Sequence, residues 1–220
     1  MLSAAAAAAL PPARIGSLVM RTSVRPPEVS AAVVATLAAI CGSRAVIALG
    51  VGDRYSADEA RRYGMPRGDL DERLRGLEKT MALIRQRAPE VAVWIGGTHQ
   101  ALRDVAAGHA DGWNAWQVSL DKLSAMVGEV RKAATRPLTV SWGGGVVLSP
   151  NSASLEENLE KRGGAEAVAA QGLLAGTPDQ ISAALRARAE LVDELVVSVL
   201  PNQPSTWALF AKEVLPNLAR

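Results

Sequence analysis

The chain has 220 residues, 49% of them hydrophobic, which is enough for one sizeable core, and we predict a single domain over residues 1–220. Lys and Arg total 24 against 22 for Asp and Glu, and the cations are spread along the predicted helices, so no basic stripe suited to nucleic acid is present. The lone cysteine, Cys41, excludes an internal disulfide and is predicted to be a buried structural thiol. With only two histidines, no metal site is predicted.

The chain begins MLSAAAAAAL, an apolar segment without the Lys/Arg region of a signal peptide. We interpret it as the tail of a helix that ends at Pro11 and Pro12, with a cleaved leader as the alternative. No apolar stretch reaches the roughly 18 residues of a membrane span. The sequence therefore predicts a cytoplasmic protein without membrane contact.

Short runs rich in β-branched residues alternate with amphipathic segments along the chain. The strand candidates are residues 14–22, 45–49, 91–95, 112–116, 138–142 and 193–199. Several are apolar throughout, which is typical of parallel strands buried on both faces. The alternation predicts an α/β fold with a parallel sheet, and a (β/α) barrel is favoured over an open sheet because no strand reads as an edge.

The segments between the strands carry apolar stripes at helical spacing, which predict helices that pack one face on a sheet. The first stripe comprises Val29, Val33, Leu37 and Ile40; the second comprises Leu70, Leu74, Leu77, Met81 and Ile84; the third comprises Leu120, Leu123, Val127, Val130 and Ala134. The Gly/Ser/Asn-rich stretch 143–154 is predicted to be an excursion within the domain.

Glycine is enriched directly after the predicted strands, where parallel α/β folds bind their ligands. Gly50-Val51-Gly52, Gly96-Gly97-Thr98 and Gly143-Gly144-Gly145 all occupy such positions. At the second of these, free amides, the positive end of a helix dipole and a Thr hydroxyl would suit a phosphate. The alternative is that the two glycines and an N-cap Thr98 serve the geometry of the turn alone.

Other polar and aromatic candidates have less specific patterns. His99 and His109 are predicted to be structural, and Asp53, Asp58 and Glu59 favour a solvated loop over an acid/base pair. The tryptophans in or beside strands are predicted to pack in the core, with stacking on a flat cofactor as the alternative; they are Trp94, Trp113, Trp116 and Trp142.

Four segments, in this order, resemble the luciferase-like monooxygenases. They are RPPEVSAAVVATLAAICGSRAVIALGVGD (25–53), ARRYGMPRGDLDERLRGLEKTMALIR (60–85), VWIGGTHQALRDVAAGHADGWN (93–114) and LLAGTPDQISAALRARAELVDELVVSV (173–199). The motif ADGWN is similar to that of the branch that uses the deazaflavin coenzyme F420. Members that use FMN share much of the same pattern. The resemblance implies a (β/α) TIM-type barrel with the cofactor at the carboxyl ends of its strands.

The resemblance also implies particular cofactor-binding residues. A bulge near Ser17 and Leu18 would lie against the cofactor ring, beside Gly50, Val51 and Gly52. Gly96, Gly97 and Thr98 match the family's phosphate-binding turn. Asp111, Gly112 and Trp113 match the family's segment after the helix that follows this turn. No catalytic residue can be assigned on these matches.

The chain departs from the family pattern at its start, where the first two strand–helix units have no counterpart. About six strands with their helices would form an incomplete barrel that closes, stays open or borrows an edge from a partner. Because an exposed parallel edge invites association, we predict a homodimer.

Two functions follow from the resemblance. The first is an F420-dependent oxidoreductase that transfers a hydride to or from a small organic substrate. The alternative is a truncated relative that is non-catalytic or binds FMN, with a structural or sensing role. A (β/α) phosphate enzyme of another family is a more distant third.

Overall fold

The computed structural model describes residues 13–53, 55–65 and 67–218. The segment MLSAAAAAAL lies outside the described residues. The chain divides into two compact units, residues 1–113 with 133–138, and residues 114–132 with 139–220. Among the described residues, no helix combines the length and the hydropathy needed to cross a lipid bilayer.

The first unit contains three parallel strands, β1 (Ile15–Arg21), β2 (Ala45–Gly50) and β3 (Ala92–Gly96), paired in that order. Its helices are α1 (Pro27–Cys41), α2 (Tyr55–Arg62), α3 (Leu70–Arg87) and α4 (Gln100–His109), with 3-10 turns at Thr22–Val24 and Gly42–Arg44. Strand β4 (Gly112–Trp116) begins in this unit and ends in the second.

The second unit contains β5 (Thr139–Leu148), β6 (Leu174–Gly176) and β7 (Glu194–Leu200), with β6 and β7 both parallel to β5. Its helices are α5 (Leu120–Ala133), α6 (Ser152–Glu160), α7 (Ala165–Ala170), α8 (Pro178–Ala189) and α9 (Pro204–Leu209). A π-helical turn, Phe210–Val214, and a 3-10 turn, Leu215–Leu218, follow α9.

All six predicted strands are present, and each registered strand pair is parallel, as the α/β prediction requires. The second and third predicted helix stripes are also confirmed at their centres, since Leu77, Met81 and Ile84 are buried in α3 and Leu123 and Val127 are buried in α5. Cys41 is buried, as predicted.

The predicted end of the fifth strand was wrong. β5 runs on to Leu148, so Gly143, Gly144 and Gly145 lie inside the strand and not in a loop beyond it. A Cβ added at these glycines would lie 2.4–2.5 Å from atoms of Trp116, Trp142 and Leu173, respectively. The glycines therefore make room for neighbouring side chains, which is a packing role and not a flexible one.

The predicted buried face of α1 was wrong at three of its four residues. Leu37 is buried as predicted, whereas Val29, Val33 and Ile40 are about half exposed and the other buried positions include Ala31, Val34, Ala38 and Cys41. Apart from Glu28 the helix carries no charge, so nearly all of its sides are apolar. One apolar stripe therefore does not show which side of the helix is buried.

Candidate functional site

In the first unit, the side chain of Val19 packs over two buried glycines at the ends of β2 and β3. The side chain of Val19 on β1 lies against Gly50 and Gly96: a Cβ at Gly50 would be 2.8 Å from Val19 Cγ2, and one at Gly96 would be 2.3 Å from Val19 Cγ1. Any larger residue at either glycine would displace Val19. We call Val19, Gly50 and Gly96 the glycine row.

Val19 reaches this position because β1 is irregular. Leu18 pairs with Ala48 and Met20 pairs with Leu49, so Val19 is an extra residue without a partner on β2, and the Leu18–Val19 peptide bond is cis. The bulge predicted near Ser17 and Leu18 is therefore present and ends one residue later than expected. Val19 is 40% exposed, and sequence reasoning missed it because a bulge leaves no pattern in an apolar strand.

The side chain of Ser17 is the polar group nearest to the bulge in sequence. Its Oγ is buried and has no hydrogen-bond partner within the described part of the chain. A buried hydroxyl without a partner is uncommon, because it forfeits the hydrogen bonds that it makes in water. Ser17 is therefore able to donate to a bound molecule.

The turn after β3 is built around Gly97. Its φ of 129° is one that side-chain-bearing residues rarely adopt, and a Cβ there would lie 2.7 Å from Leu102 Cδ1. Trp113, which is fully buried, donates from Nε1 to the Gly97 carbonyl at 2.8 Å. This hydrogen bond attaches the turn to the core.

Helix α4 begins directly after this turn, and its N-cap is His99, so the alternative in which Thr98 caps the helix was wrong. His99 Nδ1 accepts from the Ala101 amide at 3.3 Å. The amides of Thr98 and Gln100 meet no acceptor among the described residues, and Arg103 donates from Nη1 to the Thr98 carbonyl at 2.5 Å. Unsatisfied amides, a helix N-terminus and a nearby cation together favour an anion.

The segment after β2 is fixed by its neighbours. Arg73 Nη1 donates to the carbonyls of Val51 and Gly52 at 3.0 and 3.1 Å. Asp53 Oδ1 accepts from the Ser56 amide and hydroxyl, both at 2.9 Å. Gly52 has a φ of 80°, so the turn needs a glycine there. These bonds tie the loop beside the glycine row to α2 and α3.

The predicted residues Asp111 and Gly112 lie at the other end of the strands. Asp111 bridges to the start of β3: its amide donates to the Val93 carbonyl at 2.8 Å and its Oδ2 accepts from the Val93 amide at 2.9 Å. Arg85 and Arg136 pair with the same carboxylate at 2.9 and 2.8 Å. The structure thus gathers the bulge, the residues after β2 and the Gly96–Thr98 turn, while Trp113 supports that turn from the core.

The prediction of a solvated loop was wrong for Asp58 and Glu59, which lie in α2 and are both paired. Glu59 pairs with Arg21, the last residue of β1, and Asp58 pairs with Arg61. The hydrogen bond from Arg21 holds the pKa of Glu59 below its usual value and raises the pKa of Arg21. Glu59 is therefore ionised at neutral pH, and we assign no proton donor among these residues.

Three of the four strand tryptophans are core residues, as predicted: Trp94, Trp113 and Trp142 are at most 4% exposed. Trp116 differs, because it is 42% exposed at the carboxyl end of β4. Its exposure is not visible in the sequence, where it follows Asn114 by two residues, on the same side of the strand, like an ordinary strand residue.

Comparisons with solved structures give the same fold. The F420-dependent tetrahydromethanopterin reductase from Methanopyrus kandleri matches with a TM-score of 0.73 and 16% identity, over 93% of this chain and 83% of that one. An F420-dependent secondary alcohol dehydrogenase, solved with an F420–acetone adduct, matches with a TM-score of 0.75 and 13% identity, over 93% and 79%. Riboflavin lyase (RcaE), solved with modified FMN and riboflavin, matches with a TM-score of 0.73 and 16% identity, over 98% and 73%.

At these identities the likeness shows the fold alone, and it confirms the predicted (β/α) TIM-barrel-type fold class. A search among curated proteins gives no significant match. The sequence profile described as luciferase-like monooxygenase matches residues 1–165, which is well over half of the chain. The chain therefore belongs to the luciferase-like monooxygenase family.

Proposed function

We propose that the chain is an F420-dependent oxidoreductase that transfers a hydride to or from a small organic substrate. The membership of a family of oxidoreductases supports the general class. Two of the similar solved structures are named as F420-dependent enzymes, which favours the deazaflavin.

The main support for the proposal is the glycine row with the neighbouring Gly97 turn, both of which lie within the first unit. A flat ring needs a support without long side chains, and the exposed side chain of Val19 offers one because glycines at positions 50 and 96 leave space for it to lie over the strand ends. The amides of Thr98 and Gln100 would accept the anionic tail, and Ser17 Oγ would donate to a polar edge of the ring. The residues present therefore fit a flavin or deazaflavin.

Reduced F420 supplies a hydride when bound, and its oxidised form accepts one. The chain's own part is to orient the ring and to exclude water from one face of it, which the apolar Val19 side chain does. The loop held by Arg73 keeps this surface in place.

The second candidate is a relative that binds FMN, and the modified FMN in riboflavin lyase favours it. FMN carries a ring and a phosphate of the same general kind, so the glycine row and the α4 N-terminus would serve it equally. A non-catalytic role as a structural or sensing protein predicts binding without turnover.

Titration with F420 and with FMN, followed by the absorbance and fluorescence of each, tests the proposal. We expect saturable binding of F420, tighter than that of FMN, and reduction of bound F420 by one of a panel of small alcohols and aldehydes. Tighter binding of FMN would favour the second candidate, binding without turnover would favour the non-catalytic role, and no binding of either would contradict the assigned site.

We also propose that the chain forms a homodimer through the exposed stripe of α1. Val29, Val33 and Ile40 are 48–49% exposed along one side of an almost uncharged helix, and an exposed apolar face of this kind favours association. Light scattering should give twice the chain mass of 23.0 kDa for the wild type and the single-chain mass for Val33→Lys. Leu215→Lys, at a position 54% exposed in the second unit, is the control and should remain dimeric. A monomeric wild type would refute the proposal.

A further inference from the structure

A groove of 540 Å³ lies between β1 and α1, wholly within the first unit. Its wall is formed largely by buried apolar side chains, namely Met20 from β1, Val34 and Leu37 from α1, and Ile47 from β2. Sites for small molecules are commonly concave, mostly apolar and of this volume. The groove is therefore large enough and apolar enough to bind a small molecule.

The position of β1 in the sheet leaves this groove open. Among the described residues, β2 is the one strand that pairs with β1, so the other edge of β1 is not covered by a strand. Gly16 on β1 also lines the groove, and a Cβ there would lie 1.5 Å from the Val46 carbonyl oxygen. This part of the wall is therefore bare backbone.

An unpaired cation lies beyond the carboxyl end of β1. Arg25 lines the groove directly after the 3-10 turn Thr22–Val24, is exposed, and has no hydrogen-bond or ion-pair partner among the residues that the structure describes. The second arginine in the wall, Arg21, is paired with Glu59. Within the described part of the chain, no carboxylate lines the groove. An apolar groove with one unpaired guanidinium is complementary to a molecule with an apolar body and one negative charge.

We propose that this groove binds a linear aliphatic carboxylate, with its chain along β1 and its carboxylate on Arg25. The groove is flanked lengthwise by a strand and a helix, so an extended chain contacts more of the apolar wall than a compact molecule of the same size. A guanidinium donates two parallel hydrogen bonds to a carboxylate, and an alcohol cannot accept them in this way. The inference goes beyond the proposed function and does not depend on it.

The groove adjoins the stripe of α1 that we assign to the dimer. Val33 and Ile40 belong to that stripe and also line the groove. In a dimer formed through the stripe, a bound chain would lie beneath these two residues, against Val34 and Leu37. The titrations are therefore made at a concentration at which light scattering shows a single oligomeric state.

Calorimetric titration of the full chain with decanoate, decanol and acetate tests the proposal. We expect decanoate to bind about fivefold more tightly than decanol, because an exposed ion pair contributes modestly. Acetate should not bind measurably, since it lacks the chain that contacts the apolar wall. Arg25→Ala should abolish the preference for decanoate, and Arg25→Lys should retain part of it. Arg62→Ala removes an exposed arginine outside the groove and should leave both affinities unchanged.

A second pair of variants tests the position of the chain. Thr36 is exposed on α1 and lines the groove, so the indole of Thr36→Trp should fill part of it and weaken decanoate binding by about tenfold. Ala39 is exposed on the same helix but does not line the groove, and Ala39→Trp should bind decanoate like the wild type. Circular dichroism checks that both variants fold.

The proposal is overturned if the wild type does not bind decanoate, or if it binds decanoate and decanol equally. A loss in Arg62→Ala as large as that in Arg25→Ala would contradict the assignment of the carboxylate to Arg25. Equal losses in the two tryptophan variants would show that the chain does not lie in this groove. Failure of the wild type to bind F420 or FMN would count against the proposed function alone, because the decanoate titration needs neither.

Discussion

Gly97→Asp should weaken FMN or F420 binding by roughly 100-fold while the helices persist. The new carboxylate would lie at the start of α4, beside the amides of Thr98 and Gln100 that we assign to the phosphate. Two anions a few ångströms apart repel by several kcal/mol at the effective dielectric constant of a protein surface, which is enough for such a loss. Equilibrium dialysis gives the affinity, and circular dichroism checks the fold.

The matched control is Gly97→Asn, which has the same shape without the charge. Both variants force a side chain onto a φ of 129° and toward Leu102, so they share the backbone strain. We expect the asparagine variant to bind within about tenfold of the wild type. If the two variants lose affinity equally, strain and not charge is responsible, and the phosphate does not bind at this turn.

Asp111→Ala should lower the free energy of unfolding by about 2–3 kcal/mol. The carboxylate is 23% exposed and accepts from the Val93 amide, Arg85 and Arg136. Its removal leaves a strand amide and two arginines without their acceptor. Urea denaturation followed by tryptophan fluorescence measures the change, and cofactor affinity per folded molecule should stay unaltered because Asp111 is not at the carboxyl ends.

Asp193→Ala is the comparison for this substitution. Asp193 makes the same exchange with Val140, its amide donating to the carbonyl and its Oδ2 accepting from the amide, both at 2.8 Å. It differs in having one arginine partner, Arg131, and a side chain 49% exposed. We therefore expect a loss of about 1 kcal/mol. Equal losses in the two variants would show that the arginine pairs on Asp111 contribute nothing.

Six strands and the helices α1, α3 and α5 could be predicted because their apolar residues recur with a period typical of one secondary structure, whereas β6 has only three residues and shows no period. Helix α1 shows where this fails: its two apolar faces, Val29 to Ile40 and Ala31 to Cys41, are equally good stripes, so the sequence does not say which one is buried. The glycines of β5 predict a loop because glycine is common in loops, whereas in the structure the side chains of Trp116 and Trp142 fill the space beside Gly143 and Gly144.

The candidate site was predictable only in part. Gly96 and Gly97 could be located because a glycine pair between a strand and a helix is typical of both a tight turn and a phosphate site, but the sequence does not distinguish the two. Val19 could not, because its exposure depends on a one-residue shift in strand register. The role of Asp111 could not be predicted either. The sequence ADGW is compatible with an aspartate that faces a ligand and with one that bridges to Val93.

The central claim is that the start of α4 binds the phosphate of a flat redox cofactor whose ring lies on the glycine row. The most direct measurement is to titrate the wild-type chain with FMN and riboflavin side by side, since the two share a ring and differ by the phosphate. We predict that both bind and that FMN binds at least about tenfold more tightly. Equal affinities for FMN and riboflavin would show that the phosphate does not bind at this turn. If neither compound binds, the ring site is contradicted as well.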